Sequence, residues 1–361
     1  MFRVEELKDK KEWEDFLLDS PDGTFYHSLK WKEVIERSFH DSPVYLTVRD
    51  ANGIVGICPG FILSSMHIKI YHSMPYSDYG GPVMARHSIQ QSSLSLPYLL
   101  QRFFSDMGVA YLSVNTMNDT IERSFSSSLG YVDTTLGIVE IDLEATPSRF
   151  IWEEIFSRNR RKKVLRFERE GYVARQAKTK SDLGNFYKLY CEDMKYIGAR
   201  SFSYEFLENM WSLLYPLNLR IWLVERESVI GGILVLKDAG TTYPFLAGID
   251  RRGQTHARYP HGLVNYLYWK EIETAEAEGR RYVSCGSTPS DPRHPYYLQK
   301  ISYGGIFKQR KVVHYPCSYV GRILLRAEAK TISSWRTIGR FLPTRLKMIM
   351  RRQLQGWGDD Y

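Results

Sequence analysis

The alternation of hydrophobic and polar residues predicts the same series of elements twice along the chain. VYLTVRDANGIVGICPGFIL, from residue 44, alternates apolar and polar positions around the hairpin dipeptide Asn52-Gly53, and IWLVERESVIGGILVLKD, from residue 221, repeats this pattern. In each half a helix and a strand follow, in LLQRFFSDMGVAYLSVNT and in YWKEIETAEAEGRRYVSCGS. This order predicts a duplicated α/β unit.

Each half ends with a short helix, a small-residue turn and a last strand. FSSSLGYVDTTLGIVEIDL in the first half corresponds to LQKISYGGIFKQRKVVHYP in the second. A repeat of this length is too long for a solenoid and predicts two tandem domains in a chain of 361 residues. We expect them at residues 1–147 and 148–317, followed by a tail at 318–361 that packs on the first domain or extends from it.

The composition is that of a soluble globular protein, with 43% hydrophobic and 25% charged residues and no run of 18 apolar residues. The N-terminal stretch MFRVEELKDKKEWEDF predicts a charged amphipathic helix rather than a signal peptide. We therefore expect a cytoplasmic protein, with attachment to the inner face of the membrane as an open alternative.

Metal and disulfide chemistry are not indicated. The four cysteines lie far apart without a CxxC pair, and the nine histidines lack HExxH spacing. No Ser/His/Asp or Cys/His pattern accompanies the cysteines, so a catalytic thiol is not expected. We expect no metal site.

The net charge of +8 is concentrated near the C-terminus. Residues 321–352 contain nine Lys or Arg and one Glu, a net of +8. Within them Ile332, Trp335 and Ile338 fall at helical spacing beside Arg336 and Arg340, which predicts a basic amphipathic helix. Such a helix could bind an anionic membrane surface or RNA, or pack on its own domain, and the sequence leaves these alternatives open.

A second basic segment, FSRNRRKKVLRFEREGY at residues 156–172, has seven Lys or Arg between Arg158 and Arg169. Like charges four residues apart on a helix repel, which indicates an anionic partner. Arg160 and Arg161 are the candidate phosphate ligands, with Lys163 beside them, because guanidinium groups bind phosphate oxygens in pairs. A solvated helix face remains the alternative.

The order of these elements resembles the tandem GNAT-like fold of the FemAB family, which includes the FemX-type peptidyltransferases. GTFYHSLKWKEVIE is similar to the family's Ser-x-x-Trp helix, and YSDYGGPV to its Gly-Gly-Pro strand entry. FSRNRRKKVLRFEREGY is similar to its Asn-x-Arg-Arg-Lys helix, and LQKISYGG to its Phe-Lys-x-x-Phe-Gly signature. The resemblance covers about residues 10–317. It implies an α/β fold of two tandem GNAT-like domains, with the catalytic cleft in the second.

The resemblance implies transfer of an aminoacyl group from aminoacyl-tRNA to an amine of a cell-envelope precursor, without a bound cofactor. Lys300 keeps the signature lysine and Tyr303 its second aromatic residue, whereas Gln299 replaces the first Phe. Glu33 stands where some members have a phosphate-binding lysine. These departures leave the acceptor open.

The resemblance also supplies the remaining candidate site residues. Lys300 would hold the reacting carbonyl oxygen or the anionic donor, with a surface lysine as the alternative. Arg200 falls close to an arginine that binds substrate phosphate, although it could instead cap the preceding helix. Tyr243 and His261 fall where the acyl group or the acceptor would lie, whereas core packing and a helix start are their simpler explanations. Tyr303, the aromatic residue kept from the signature, is a further candidate substrate-binding residue.

Two other functions stay open at this stage. An N-acyltransferase that uses acetyl-CoA, another acyl-CoA or an acyl carrier is the alternative enzyme, although RRGQTHARYPHGL, residues 251–263, lacks the glycine spacing of a pyrophosphate-binding turn. A non-catalytic protein that binds RNA or membrane is the alternative of another class. Retention of Lys300 argues against it.

Overall fold

The computed structural model describes residues 2–65, 68–86, 88–125, 130–251, 253 and 260–327. The chain divides into two compact units. Of the described residues, those within 2–32, 39–134 and 310–327 belong to the first unit, and those within Glu33–Ser38 and Thr135–Gln309 belong to the second.

Both units are mixtures of strands and helices. The strands are β1 Arg3–Glu6, β2 Ser42–Arg49, β3 Ile54–Ser65, β4 Ile68–His72, β5 Val83–Met84, β6 Val109–Thr116, β7 Tyr131–Asp133, β8 Leu136–Asp142, β9 Val173–Gln176, β10 Leu219–Glu225, β11 Val229–Lys237, β12 Thr241–Ile249, β13 Tyr282–Pro289, β14 Ile306–Gln309 and β15 Lys311–Pro316. The helices are α1 Lys10–Leu18, α2 Leu29–Ser38, α3 Ile89–Asp106, α4 Asp119–Phe125, α5 Ser148–Phe150, α6 Arg158–Arg169, α7 Lys180–Ile197, α8 Tyr204–Leu214, α9 Leu263–Ala277, α10 Pro295–Ile301 and α11, residues 319–327. A 3₁₀ turn at Phe25–His27 and a π-helical turn at Ile151–Ile155 complete the set.

An eight-stranded sheet forms the centre of the first unit, in the order β1-β2-β3-β4-β6-β15-β7 with β5 paired to β3. Strands β2 and β3 form the antiparallel hairpin expected around Asn52-Gly53. Leu96, Leu100 and Phe104 of α3 are buried in the core against this sheet. Their spacing of four residues places them on one face of the helix.

A seven-stranded sheet forms the centre of the second unit, in the order β14-β8-β13-β12-β11-β10-β9. Helices cover both of its faces. A Cβ atom on Gly231 would meet Leu263 of α9, whereas one on Gly232 would meet Phe186 of α7. Because successive residues of a strand point to opposite faces, α9 and α7 lie on opposite sides of the sheet.

Each sheet contains a strand from the other half of the sequence. Strand β8, which the sequence placed in the first domain, pairs with β13 and β14 in the second sheet. Strand β15, which the sequence placed in the second domain, pairs with β6 and β7 in the first sheet. The units therefore differ from the expected 1–147 and 148–317, because apolar alternation identifies a strand but not the sheet it joins.

The basic segment forms α6 as expected. The Ser157 side chain caps the helix by accepting a hydrogen bond of 3.2 Å from the Arg160 backbone N–H. Val164 and Phe167 are buried in the core of the second unit, which holds one side of this highly charged helix to the sheet. Apolar burial thus offsets the repulsion among its cations.

The described part of the expected tail ends at residue 327. Residues 319–327 are helical, and Ile332, Trp335 and Ile338 of the predicted amphipathic helix lie outside the described residues. Among the helices that the structure describes, none has the length and apolar character needed to cross a membrane.

Candidate active site in the second unit

The two parallel strands of the second sheet separate soon after they meet. Strand β12 pairs with β13 only at Thr241–Tyr282 and Thr242–Val283. Beyond these pairs the described strands form no further ladder, although β12 continues to Ile249 and β13 to Pro289. Their divergence opens the sheet between two neighbouring strands.

Irregular pairing on both strands accompanies this divergence. The register of β12 with β11 shifts beside Leu234 and Val235, and the register of β13 with β8 shifts between Ser284 and Ser287. Gly286 within the second bulge has a φ of 76°, a left-handed conformation that favours glycine. A bulge bends its strand and changes the direction of nearby groups. The glycine in the sequence Ser-Cys-Gly-Ser permits this bulge and so explains why β13 bends at this point.

Lys300 lies beside the bulge of β13. Its Nζ donates a hydrogen bond of 2.6 Å to the Ser287 carbonyl oxygen. Lys300 comes from α10, so this contact places an ammonium group from the helix at the separating strand. A cation held here can stabilise negative charge that develops in the opening.

Two buried hydroxyl groups lie on the same strand. Ser284 Oγ and Thr288 Oγ1 have no hydrogen-bond partner among the residues that the structure describes. Each hydroxyl can donate one hydrogen bond and accept others. Buried polar groups are normally satisfied, so these two make β13 an unusually polar strand for a sheet interior.

Tyr303 is fully buried just after α10. Its hydroxyl donates a hydrogen bond of 3.0 Å to Asn265 Oδ1 and accepts one of 3.4 Å from Gln299 Nε2. Its ring stacks on Tyr268, with centroids 4.7 Å apart. Burial raises the pKa of Tyr303 to about 12, so the hydroxyl remains protonated at neutral pH.

Arg160 connects α6 to the turn that follows α10. Its guanidinium donates to the Ser302 carbonyl oxygen and, at 2.5 Å, to Ser302 Oγ. It also lies over the rings of Phe156 and Tyr303, at 5.1 and 4.8 Å from the centroids. Burial lowers the pKa of Arg160. This arginine therefore holds the turn beside Lys300.

Arg161 contacts the segment that precedes α6. Its Nη1 donates to the carbonyl oxygens of Trp152 and Glu153, at 2.7 and 2.5 Å. A cation at the carbonyl groups that end a helical segment is favourable. Both arginines expected to bind phosphate thus have protein carbonyl partners.

Lys163 lies against the start of α9. A Cβ atom added to Gly262 would be 3.0 Å from Lys163 Cβ, and Gly262 has a φ of 106°. His261, the preceding residue, is exposed. Lys163 and His261 therefore lie together at a helix N-terminus, where the backbone N–H groups favour an anion.

Two other predicted site residues lie elsewhere in the second unit. Tyr243 is buried on β12, and its hydroxyl donates a hydrogen bond of 2.7 Å to Asp238 Oδ2. Arg200 is exposed and follows the end of α7, which Gly198 caps with a φ of 74°. The structure therefore gathers Arg160, Lys163, His261, Lys300 and Tyr303 around α6, α9 and α10, whereas Arg161 contacts the segment before α6.

Four residues of this cluster were not anticipated from the sequence: Asn265, Ser287, Gln299 and Ser302. Gln299 is the departure from the family signature, and the structure shows it bonded to Tyr303. The run Gln-Lys-Ile-Ser-Tyr carried the signal, because polar residues within one helical turn of Lys300 are placed to contact the same neighbours.

A cluster of buried charged side chains joins α9 to strand β10 of the sheet. Arg220 of β10 pairs with Glu271 of α9 at 3.1 Å and with Glu278 at 2.6 Å. Trp222 Nε1 donates a hydrogen bond of 2.7 Å to the other oxygen of Glu271. Burial raises the pKa of Glu271, and the Arg220 charge opposes that rise. These contacts fix α9 on the sheet and so position its N-terminus.

Comparisons with known proteins agree with this architecture. Residues 156–292 match the family described as "Acetyltransferase (GNAT) domain". No curated protein matches the sequence at a significant level. The family match covers the basic helix, β12, α9 and β13, the elements around the diverging strands.

Several solved structures share the fold along most of both chains. FemX is 10% identical with a TM-score of 0.69, covering 87% of this chain and 97% of FemX. A tandem GNAT protein from the clavulanic acid biosynthesis pathway is 10% identical with a TM-score of 0.57, covering 88% of this chain and 98% of that one. L-PGS from Bacillus licheniformis is 13% identical with a TM-score of 0.54, covering 92% and 97%.

These likenesses, at 10–13% identity, show the fold. They confirm the predicted α/β class and the resemblance to the FemAB architecture. The chain therefore has a tandem GNAT-like fold, and residues 156–292 of its second unit match the model of a GNAT acetyltransferase domain.

Proposed function

We propose that this chain is a transferase that moves an aminoacyl group from aminoacyl-tRNA to an amine, at the diverging strands of the second unit. One observation carries the assignment of the site: the Lys300 ammonium group is held at the bulge of β13, where β12 and β13 separate. The match of residues 156–292 to a GNAT acetyltransferase domain supports acyl transfer as the reaction class.

The reaction requires a neutral amine and an activated carbonyl group. The amine attacks the ester carbonyl of the donor, a C–N bond forms, and the ester C–O bond breaks. One proton passes from the amine to the oxygen of the departing ribose hydroxyl. Negative charge develops on the carbonyl oxygen, and a fixed cation such as Lys300 contributes on the order of 3 kcal/mol to stabilising it.

The surface of α6 supports a nucleic-acid donor. Four cationic side chains are exposed along this helix: Arg158, Lys162, Arg166 and Arg169. Arg160 and Arg161 instead donate hydrogen bonds to carbonyl oxygens of the protein. Arg166 forms an ion pair with Glu170, which leaves Arg158 and Lys162 at the first turns as the stronger phosphate-binding candidates. Lys163, which packs at the start of α9 beside Gly262, extends this cationic region, and the exposed His261 directly precedes that glycine in the chain.

The acceptor we propose is an amine of a cell-envelope precursor or peptide. The resemblance of this sequence to the FemAB family supports an envelope substrate, because that resemblance implies aminoacyl transfer to such precursors, and the fold shared with FemX is consistent with it. Gln299 directly precedes Lys300, and its side chain donates a hydrogen bond to the hydroxyl of Tyr303, three residues after Lys300. No bound cofactor is part of this proposal, since the donor itself supplies the activated ester.

An acyl-CoA-dependent N-acyltransferase is the second candidate. The anion-favouring start of α9, with Gly262 and Lys163, suits a pyrophosphate as well as a tRNA phosphate. The similar tandem GNAT protein from the clavulanic acid biosynthesis pathway is described as its form without AcCoA, and this link to an acyl-CoA supports the alternative. A non-catalytic binding protein would retain anion affinity but show no transfer.

The test is single-turnover transfer from charged tRNA to an amine acceptor by the Lys300→Met variant. We expect the rate to fall roughly 10²–10³-fold, because the variant lacks the cation at the developing oxyanion. Lys188→Met is the matched control, since Lys188 is an exposed lysine on α7, and it should keep the wild-type rate. An unchanged rate for Lys300→Met would remove Lys300 from the mechanism.

A further inference from the structure

Within the described residues, one side of helix α11 of the first unit packs on the core. Gly321 packs so closely on the Ala110 carbonyl oxygen that a Cβ atom there would overlap it. Leu325, one turn later, is buried. These two residues fix which side of the helix faces the sheet.

The other side of α11 exposes large apolar residues next to arginines. Tyr319, Val320 and Ile323 are 76%, 54% and 50% exposed. Arg322 and Arg326 are exposed on the same short helix. Gly321 and Leu325 make the contact with the core, whereas these apolar side chains lie on the surface of the described structure.

Helix α3 adds to this surface. Leu94 and Tyr98 are 77% and 63% exposed, and Arg102 follows one turn later on the same helical stripe. The end of that stripe contacts the segment leading into α11. Gln101 donates to the Pro316 carbonyl oxygen at 3.2 Å, and Ser105 donates to the Cys317 carbonyl oxygen at 3.1 Å.

We propose that this surface, hereafter the α3–α11 face, docks on an anionic lipid membrane. The face consists of Leu94, Tyr98, Arg102, Tyr319, Val320, Arg322, Ile323 and Arg326. Apolar side chains enter the boundary between headgroups and acyl chains, while neighbouring arginines bind anionic headgroups. The sequence continues this charge, since residues 321–352 carry a net of +8.

The chemistry of the face favours lipid over the other occupants. Three of the five apolar residues, Leu94, Val320 and Ile323, are aliphatic and cannot stack on bases. All five, including Tyr98 and Tyr319, can enter a lipid interface, which favours lipid over RNA as the main partner. A second copy of this chain would bring two strongly basic segments together, and like charges across an interface are unfavourable. An anionic membrane satisfies both the apolar and the cationic side chains.

This inference is independent of the proposed reaction. A protein that takes its acceptor from a membrane would gain from docking, but the face contains no residue of the site around Lys300. With a water-soluble amine acceptor, variants of the face should turn over at the wild-type rate. Loss of membrane binding and loss of transfer can therefore be measured separately.

The experiment is co-sedimentation of the full-length protein with vesicles of phosphatidylcholine alone or mixed with phosphatidylglycerol. We expect binding to the mixed vesicles and little to phosphatidylcholine alone. Val320→Ser with Ile323→Ser should weaken binding about tenfold or more, because two exposed apolar side chains no longer enter the lipid. Arg322→Gln with Arg326→Gln should weaken it about fivefold per arginine, and added salt should abolish that difference.

Matched controls come from elsewhere on the surface. Leu18→Ser with Leu217→Ser removes two apolar side chains of higher exposure, and Arg123→Gln removes an exposed arginine of the first unit. These variants should sediment as the wild type does. Absence of binding to the mixed vesicles, or equal binding by the α3–α11 variants and the controls, would overturn the inference. So would loss of tRNA binding or of dimers in the face variants with vesicle binding intact.

Discussion

The structure describes two parallel strand pairs, one in each unit. They differ in the number of residue pairs over which the strands remain paired. In the first unit β4 pairs with β6 through four residue pairs, from Lys69–Val109 to His72–Ser113. The contact continues past the strand end, because Ser73 N–H donates to the Ser113 carbonyl oxygen and Ser73 Oγ accepts from Asn115 N–H. In the second unit β12 and β13 keep only two pairs.

In the first unit, the segment that follows β4 closes the sheet at the position that corresponds to the diverging strands of the second unit. Gly81 packs directly on the Asn115 carbonyl oxygen, leaving no room for a Cβ atom. His27 Nδ1 accepts from the Thr24 backbone N–H, so its Nε2 donates to the Gly81 carbonyl oxygen at 3.0 Å. These contacts fix the segment after β4. The first copy of the duplicated fold is therefore closed at this position, and the second copy contains the candidate site.

The two units also differ in the charge of some of their buried polar groups, because the second unit buries an ion pair and the first buries neutral imidazole nitrogens. The second unit buries the Arg220–Glu271 ion pair under α9. In the first unit His27 is buried, and the half-buried His72 and His314 each have a buried ring nitrogen; this desolvation lowers the pKa of each histidine to about 4. Buried ions must keep their partners, whereas buried histidines must stay neutral.

The largest effect is expected where the second unit buries charge. Glu271→Ala should lower the free energy of unfolding by about 3–5 kcal/mol, because Arg220 keeps its buried charge but loses its fully buried carboxylate partner. Glu273→Ala on the same helix should change it by less than about 1 kcal/mol, since its pair with Lys270 is partly exposed. Urea denaturation measures both. Equal effects would mean that the buried pair does not hold α9.

A smaller effect is expected at the closed strand pair of the first unit. Gly81→Ala should destabilise the protein by about 1–3 kcal/mol, because the new Cβ atom forces the segment away from the Asn115 carbonyl oxygen. Gly184→Ala is the control, since a Cβ atom on Gly184 in α7 would meet nothing within 4 Å. That change should stabilise by about 0.5–1 kcal/mol. If Gly81→Ala left the free energy of unfolding unchanged, the segment around Gly81 would not be tightly packed against the Asn115 carbonyl oxygen.

The smallest effect concerns the histidines of the first unit. Their pKa of about 4 lies below the usual 6.5, so between these values the unfolded chain binds more protons and stability falls as the pH is lowered. The loss should be on the order of 1 kcal/mol per histidine between pH 7 and pH 5. His72→Gln with His314→Gln should flatten this dependence in denaturation curves recorded across that range. A dependence as steep as that of the wild type would assign the effect to other groups.

The sequence predicted local features well because they depend on neighbouring residues. The Asn52-Gly53 hairpin, the helix that follows Ser157 and the repeated order of elements follow from turn chemistry, capping and periodicity. The exchange of β8 and β15 did not follow, because partner choice depends on surfaces far apart in the chain.

The candidate site was predicted in part. Lys300 and Tyr303 were identified by resemblance, and the structure shows them beside the diverging strands. The contacts of Arg160 with Ser302 and of Arg161 with Trp152 could not be foreseen, since a run of cations does not reveal which side chains turn inward. Tyr243 and Tyr303 are both buried, and the sequence did not reveal that the Tyr243 hydroxyl donates to Asp238 and that of Tyr303 to Asn265.

The most direct test of the central claim is binding of the full-length protein to charged tRNA, deacylated tRNA and acetyl-CoA across a salt series. We predict tighter binding of charged than of deacylated tRNA, with an affinity that falls steeply as salt rises, because α6 contacts phosphates and the diverging strands hold the aminoacyl end. Binding of acetyl-CoA without preference for charged tRNA would contradict aminoacyl transfer and favour the acyl-CoA-dependent enzyme.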